Sequence, residues 1–307
     1  MIGFGNQLLL SLAEARLATG DLEQCRGILL RMPPAERPKL LFEDVTYRLA
    51  KERLAAGRFE PARELFAECT KSNSSQVIRL LSQERSELLN RLMSRQVVSA
   101  LQVKTLWEEA KVRNAERISP DMFTPEISFV GCPAAYRSGY DPQKIDSLSQ
   151  LIRLMKHGVE EDAVKRVGQY LAAYLMYGTK VLETVDFVIP VPTQPERETL
   201  RGYSIPRLLA DEVSKACALP IHDEFVRAAG SALELRHVPQ WYRRIAIKGA
   251  FTVGKRAEWL DGLRALVIDD VITTGATLRE VARLLRTNQV KDVFAVALAH
   301  TEWGGLR

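Results

Sequence analysis

Two hydrophobic periods run along this chain, and the change from one to the other divides it. Helical spacing fills the first third. Ala15–Cys25 reads Ala-Arg-Leu-Ala-Thr-Gly-Asp-Leu-Glu-Gln-Cys, and 37 residues later Lys51–Ala62 repeats its outline. In each copy a helix ends at Gly, Leu22 or Phe59 follows two positions on, and small Cys25 or Ala62 sits five after the Gly, so paired helices can approach closely. From Ser75 to about Glu116 the helical pattern continues through Val77, Leu80, Leu81, Leu88, Leu89, Leu92, Met93, Leu101 and Leu106. Its polar face carries Arg79, Arg85, Arg91, Arg95, Lys104, Lys111 and Arg113, read as a solvated face rather than a phosphate-tracking surface. Pro, Gly and Ser then break the periodicity, which places a linker at 118–142 between a helical domain, 1–117, and a second domain, 143–307.

Short apolar runs alternate with helices in the second domain. Leu148, Leu151, Ile152 and Met155 mark a helix that Gly158 ends, and Val164, Val167, Leu171 and Leu175 mark another from about Glu161. Val185–Pro192 is a β-branched strand stiffened by two prolines; a loop, Thr193–Tyr203, follows it, then a helix with Pro206 in its first turn. Leu263–Thr277 concentrates the chemistry. Leu266, Val267 and Ile268 suit a strand buried on both faces, Asp269 and Asp270 close it, and a Thr/Gly loop leads to a helix expected from Leu278. The last strand is Val293–Ala299. Strands separated by helices predict an α/β fold with a parallel sheet.

Strand tips of open parallel sheets are where ligands bind, and two adjacent carboxylates there are acceptors for hydroxyls. Thr273, Thr274, Gly275, Ala276 and Thr277 supply backbone N–H groups and hydroxyls at a helix N-terminus, an anion site that Gly275 lets a ligand approach. A ligand with a phosphate at one end and a diol beside it fits both halves. Arg197 and Arg201, between strand and helix, are placed to clamp a multiply charged phosphate.

Composition adds limits. The 307 residues are 46% hydrophobic and 26% charged, an ordinary globular balance with room for two domains. Without a basic leader or a bilayer-length apolar run, no membrane partner and a cytoplasmic location are expected. Cys25, Cys69, Cys132 and Cys217 lack Cys-x-x-Cys spacing, so neither a zinc knuckle nor a disulfide framework is indicated. The three other histidines besides His300, namely His157, His222 and His237, show no metal-ligand spacing. A net charge of +5 permits a nucleic-acid partner without arguing for one.

Three resemblances follow from these residues. The Gly-centred helical outline is similar to tetratricopeptide (TPR) repeats, with a period slightly longer than their usual ~34 residues, which implies a docking domain for a protein partner or a second copy. Val267–Thr277 resembles the motif of type I phosphoribosyltransferases that binds 5-phosphoribosyl 1-pyrophosphate (PRPP). That implies a Rossmann-like parallel sheet, ribose hydroxyls on Asp269 and Asp270, and the 5′-phosphate wrapped by Thr273 to Thr277. Finally, Lys156, Pro190-Val191-Pro192, Pro195, Arg197, Arg201-Gly202-Tyr203, Lys248–Phe251 and the PRPP loop occur in the order seen in competence-protein-F-like (ComF) phosphoribosyltransferases, over roughly Tyr136 to Trp303. This similarity implies a pyrophosphate loop at Arg197, Arg201, Gly202 and Tyr203, and Mg2+ held mainly through PRPP beside Asp269 and Asp270. It also implies Asp269, Asp270 and Arg201 as the catalytic set, and an acceptor flanked by His300 or Trp303.

The chain departs from that family in three places. Helical repeats stand in place of a Cys-rich zinc module, and Gln194, Ser204 and Ile205 replace the His, Asn and Gln that relatives tend to have. A short segment, Arg236–Arg244, stands where a catalytic hood is expected, with Ala246 where an Asn is common. Three functions stay open: phosphoribosyl transfer to a nitrogenous base or other acceptor, PRPP or nucleotide sensing without turnover, and a partner-controlled effector in a defence, toxin, competence or DNA-processing complex.

Overall fold

The computed structural model describes residues 4–71, 74–94, 124–137, 149, 152, 155–156, 161–229, 247–254 and 257–302. They divide into two compact units, residues 1–96 with 182–184 and residues 97–181 with 185–307.

The first unit is helical: α1 (Phe4–Ala18), α2 (Leu22–Leu30), α3 (Lys39–Ala55), α4 (Phe59–Thr70) and α5 (Gln76–Ser94). Its two glycine corners are built alike. Gly20 and Gly57 take φ of 79° and 72°. Gly20 N–H bonds Leu17 O and Asp21 N–H bonds Arg16 O, and Gly57 and Arg58 repeat the pattern onto Leu54 and Arg53. Left-handed glycines therefore satisfy the end carbonyls of α1 and α3 and turn the chain sharply. Cys25 and Ala62, five residues beyond each glycine, are fully buried where the next helix packs. Arg85 departs from its expected place on a solvated face: it is 1% exposed, with its guanidinium 5.9 Å from the Tyr47 ring centroid and 5.6 Å from that of Phe66. Two aromatic faces give the cation a substitute for water that spacing alone does not reveal. The described part of the 75–116 pattern ends at Ser94, and the rest lies outside the described residues.

The second unit holds a parallel sheet. Its strands are β1 (Phe129–Gly131), β2 (Ala134–Arg137), β3 (Phe187–Pro190), β6 (Arg264–Ile272) and β7 (Asp292–Glu302), with β4 (Val226–Ala228) and β5 (Phe251–Val253) forming a separate antiparallel pair. The order runs β1, β7, β6, β3, and β2 lies along β7 beyond β1. Helices α6 (Glu161–Gly178), α7 (Pro195–Arg201), α8 (Ile205–Cys217) and α9 (Ala276–Thr287) complete it. Phe187, Val188 and Ile189 of β3 and Ala265 to Ile268 of β6 are fully buried, as strands covered on both faces must be. β1 and β2 form inside the stretch read as linker, because runs of three and four residues are too short to show alternation.

Three local expectations change. β6 runs on through both acids to Ile272, and α9 starts at Ala276 rather than Leu278 because Gly275, at φ 67°, already turns the chain as its N-cap. β7 extends to Glu302, taking His300 into the sheet. Pro195–Arg201 is helical rather than loop, with Pro195 in the first turn, Glu196 and Glu198 beside the N-terminal dipole and Gly202 at φ 81° as its cap. Among the described residues, no helix is long and apolar enough to cross a membrane, and the four cysteines are buried thiols outside any disulfide.

Candidate functional site

The register of β3 creates the site. Its pairing with β6 ends at Pro190 opposite Ile268, where Val191 N–H still reaches Ile268 O at 2.8 Å. β6 continues past that point, held by β7, so Asp269 and Asp270 stand at the edge of a cleft of about 490 Å³ beyond the end of β3. Asp269, Asp270, Thr273, Thr274, Ala276 and Thr277 line one side, and Arg197, Arg201 and Lys156 also line it. Val191, Pro192, Ile247 and Phe251 give the cleft an apolar part.

The two acids are not equivalent. Asp269 Oδ1 accepts Asp270 N–H at 2.8 Å, Asp270 Oδ1 accepts Val271 N–H at 2.7 Å, and Asp270 Oδ2 lies 3.6 Å from Lys156 Nζ. Burial, then the neighbouring Asp270 charge, push the Asp269 carboxyl up to about 8. Burial presses on Asp270 too, but Lys156 and the Val271 N–H outweigh it and hold that carboxyl below its ordinary range. The two carboxyls are thus driven in opposite directions, Asp269 toward its protonated form and Asp270 toward its charged form.

Thr273 to Thr277 turn from β6 into α9. Thr274 Oγ1 accepts Ala276 N–H at 3.4 Å, Arg279 Nη2 donates to Thr274 O at 2.6 Å, and Gly275 bends the backbone at the head of a twelve-residue helix. Arg197 and Arg201 fall on one face of α7 at i and i+4. Arg201 Nε donates to Lys156 O at 2.8 Å and Tyr203 Oη donates to Met155 O at 2.9 Å. Gly202 and Tyr203 thus anchor the C-terminal end of α7 and are not among the residues that line the cleft. His300 pairs with Ile272 and Ala135 in the sheet and is not among the lining residues. Trp303 and the hood candidate Arg236–Arg244 lie outside the described residues.

Residues 225–302 match the phosphoribosyl transferase domain family. Competence protein F of Haemophilus influenzae is 32% identical over 130 residues, which cover 42% of this chain and 57% of that protein. Over these stretches the chain is similar to the phosphoribosyl transferase domain and to ComF-like proteins. DNA utilization protein YhgH of Escherichia coli O157:H7 is 25% identical over 156 residues, 50% of this chain and 67% of that protein, and YhgH of Salmonella typhimurium is 26% identical over 120 residues, 39% and 52%. The match thus spans little more than half of the Haemophilus relative.

Two residues that build this cleft are not singled out as site residues by the sequence pattern. Lys156 belonged to the ordered motifs, but nothing in a lysine after a helix reports that Asp270, far along the chain, will be its partner. Glu280 looked like any polar position of α9. It is 5% exposed, and its Oε1 accepts Gly249 N–H at 3.0 Å and Arg283 Nη2 at 2.8 Å, while Oε2 takes Arg283 Nε at 2.9 Å. Gly249 sits at φ 77° in the turn that carries Ile247 and Ala250 into the cleft wall, so Glu280 ties that wall to the helix that starts at the phosphate loop. The Arg283 hydrogen bonds outweigh burial and lower the Glu280 carboxyl. Its contribution to stability is therefore full above the ordinary glutamate range and is lost as pH falls through the lowered value. Glu280→Gln is expected to lower the melting temperature by roughly 3–8 °C at pH 7, on the basis of about 1–3 kcal/mol for a buried charged hydrogen-bond acceptor. The gap between the two melting temperatures should hold above the ordinary glutamate range and shrink as pH falls below it.

Proposed function

We propose that the cleft binds PRPP and transfers its phosphoribosyl group to a nitrogenous base or another acceptor, with release of pyrophosphate. The observation that carries this is the convergence on one cleft of a diol-accepting acid pair, a phosphate loop at a helix head and a basic helix face. Ribose hydroxyls donate to Asp269 and Asp270, and the 5′-phosphate takes the N–H groups and hydroxyls between Thr273 and Thr277. Arg197 and Arg201 face the pyrophosphate, where negative charge develops as the anomeric bond breaks. The nearby Asp270 charge favours the oxocarbenium-like ring.

Mg2+ fits this donor set. Among the described residues no group of three or more His, Cys, Asp or Glu could cage a metal, and two carboxylates beside a phosphate ligand match how Mg2+ is held chiefly by substrate oxygens. Asp269 and Asp270 would hold it together with PRPP, and when bound it supplies neutralisation of pyrophosphate charge.

The relatives' names favour a second reading. They speak of competence and DNA utilization rather than of transfer to a base, so the same ligand site would serve a DNA-handling process, with the helical unit docking a protein partner. Incubating the full chain with PRPP, Mg2+ and a panel of purine and pyrimidine bases while recording pyrophosphate separates the two. Base-dependent release supports transfer; retained PRPP without release under every acceptor supports the second reading.

A further inference from the structure

The cleft contains an ion pair placed where the diol of the proposed ligand would sit. Lys156 Nζ is 3.6 Å from Asp270 Oδ2, the oxygen that the Val271 N–H leaves open, and it lies 5.4 Å from the Tyr136 ring centroid. The lysine side chain is 29% exposed and lines the cleft, so it reaches the space a ligand would enter. Its backbone is equally committed. Lys156 O receives Arg201 Nε, and the preceding carbonyl, of Met155, receives the Tyr203 hydroxyl. The helical residues Met155 and Lys156 are therefore fastened to the C-terminal end of α7, which carries Arg197 and Arg201, while the Lys156 ammonium is lent to the diol acids.

We propose that Lys156 adds to the preference of the cleft for PRPP over ribose 5-phosphate: the ribose hydroxyls take over Asp270 and Lys156 Nζ transfers to the pyrophosphate. This rests on the phosphoribosyl reading of the cleft. When a hydroxyl donates to Asp270 Oδ2, the lysine loses its partner and needs another anion. The pinned carbonyls keep it beside Arg201, and the Tyr136 face keeps the cation near its present position. A ligand that brings a pyrophosphate supplies that anion within reach of a flexible four-carbon stem, whereas ribose 5-phosphate leaves the ammonium uncompensated. A partly exposed ion pair at 3.6 Å that serves stability alone is worth little, so its support by Arg201 and Tyr203 is better explained by ligand binding.

The test is calorimetric titration of PRPP and, separately, ribose 5-phosphate, each with Mg2+, into the parent chain, Lys156→Met and Lys156→Arg, with melting temperatures recorded for all three. Lys156→Met is expected to lose roughly tenfold or more in PRPP affinity, the worth of one charge-assisted contact. Its ribose 5-phosphate affinity should stay within about twofold or improve, because the competing ion pair is gone. Lys156→Arg should recover much of the preference for PRPP. Equal weakening of both ligands in Lys156→Met, or an undiminished preference, overturns the role of Lys156 while leaving the phosphoribosyl site standing. If the parent binds neither ligand, the phosphoribosyl reading falls and the role of Lys156 with it.

Discussion

Asp269→Asn combined with Asp270→Asn is expected to reduce PRPP affinity by on the order of 10²-fold or more and, in the same protein, to raise the melting temperature. The loss follows from replacing a charge-bearing acceptor pair by neutral amides, at about 1.5–3 kcal/mol for each charged hydrogen bond. The gain follows from what the free protein endures, two neighbouring carboxyls drawn into a poorly solvated strand end with one lysine to offset them. The single variants should differ. The Asp270 carboxyl is held below its ordinary range beside Lys156 while that of Asp269 is raised, so Asp270→Asn should weaken PRPP binding more than Asp269→Asn. Asp269 also gives the pair a pH signature. Its carboxyl is raised in the folded chain, so its contribution to stability is full below the ordinary aspartate value of 3.8 and is lost as pH rises to about 8. The melting temperature of the parent minus that of Asp269→Asn should fall across that window; a flat difference would show that Asp269 is an ordinary carboxylate.

The second large effect concerns the wall of the cleft. Gly254 closes the β4–β5 pair, donating its N–H to Phe225 O at 2.9 Å, and a Cβ there would fall inside the van der Waals envelope of the Glu224 carbonyl oxygen and 2.9 Å from its carbon. Those are backbone atoms that no rotamer change can move. Gly254→Ala should therefore open the pair, at a cost on the order of 3 kcal/mol or more, and lower ligand affinity because β4 and β5 bring Ala228 and Phe251 to the cleft. Gly249→Ala is the control. Its φ of 77° is strained for alanine, but an added Cβ meets nothing within 4 Å, so about 1 kcal/mol is expected. Thermal melts of the two variants should differ by several degrees, and equal melts would mean that the β4–β5 pair yields at little cost.

Much of the site was legible because its parts are contiguous. Strand, acids, threonines and helix follow one another from Leu263 to Leu284, and each residue type has a local physical reason to be there. The glycine corners of the helical unit were legible for the same reason. The features that escaped are those made by distance. Arg85 is buried because Tyr47 and Phe66 come to it from other helices, and Lys156 belongs to the site because the fold brings it to Asp270. The helix Pro195–Arg201 is a different case: Pro195, Glu196, Glu198 and Gly202 spell its start and stop, and seven residues were simply too few for a hydrophobic period to show. His300 was drawn toward the acceptor by its place after an expected strand end, and β7 instead carries it on within the sheet.

The most direct measurement is calorimetric titration of PRPP with Mg2+ into the full chain beside the Asp269→Asn, Asp270→Asn double variant. Saturable binding to the parent with one site per chain, lost or weakened by about 10²-fold in the folded double variant, is the predicted result. No binding to the parent, or equal binding to both proteins, would contradict the assignment of this cleft to PRPP.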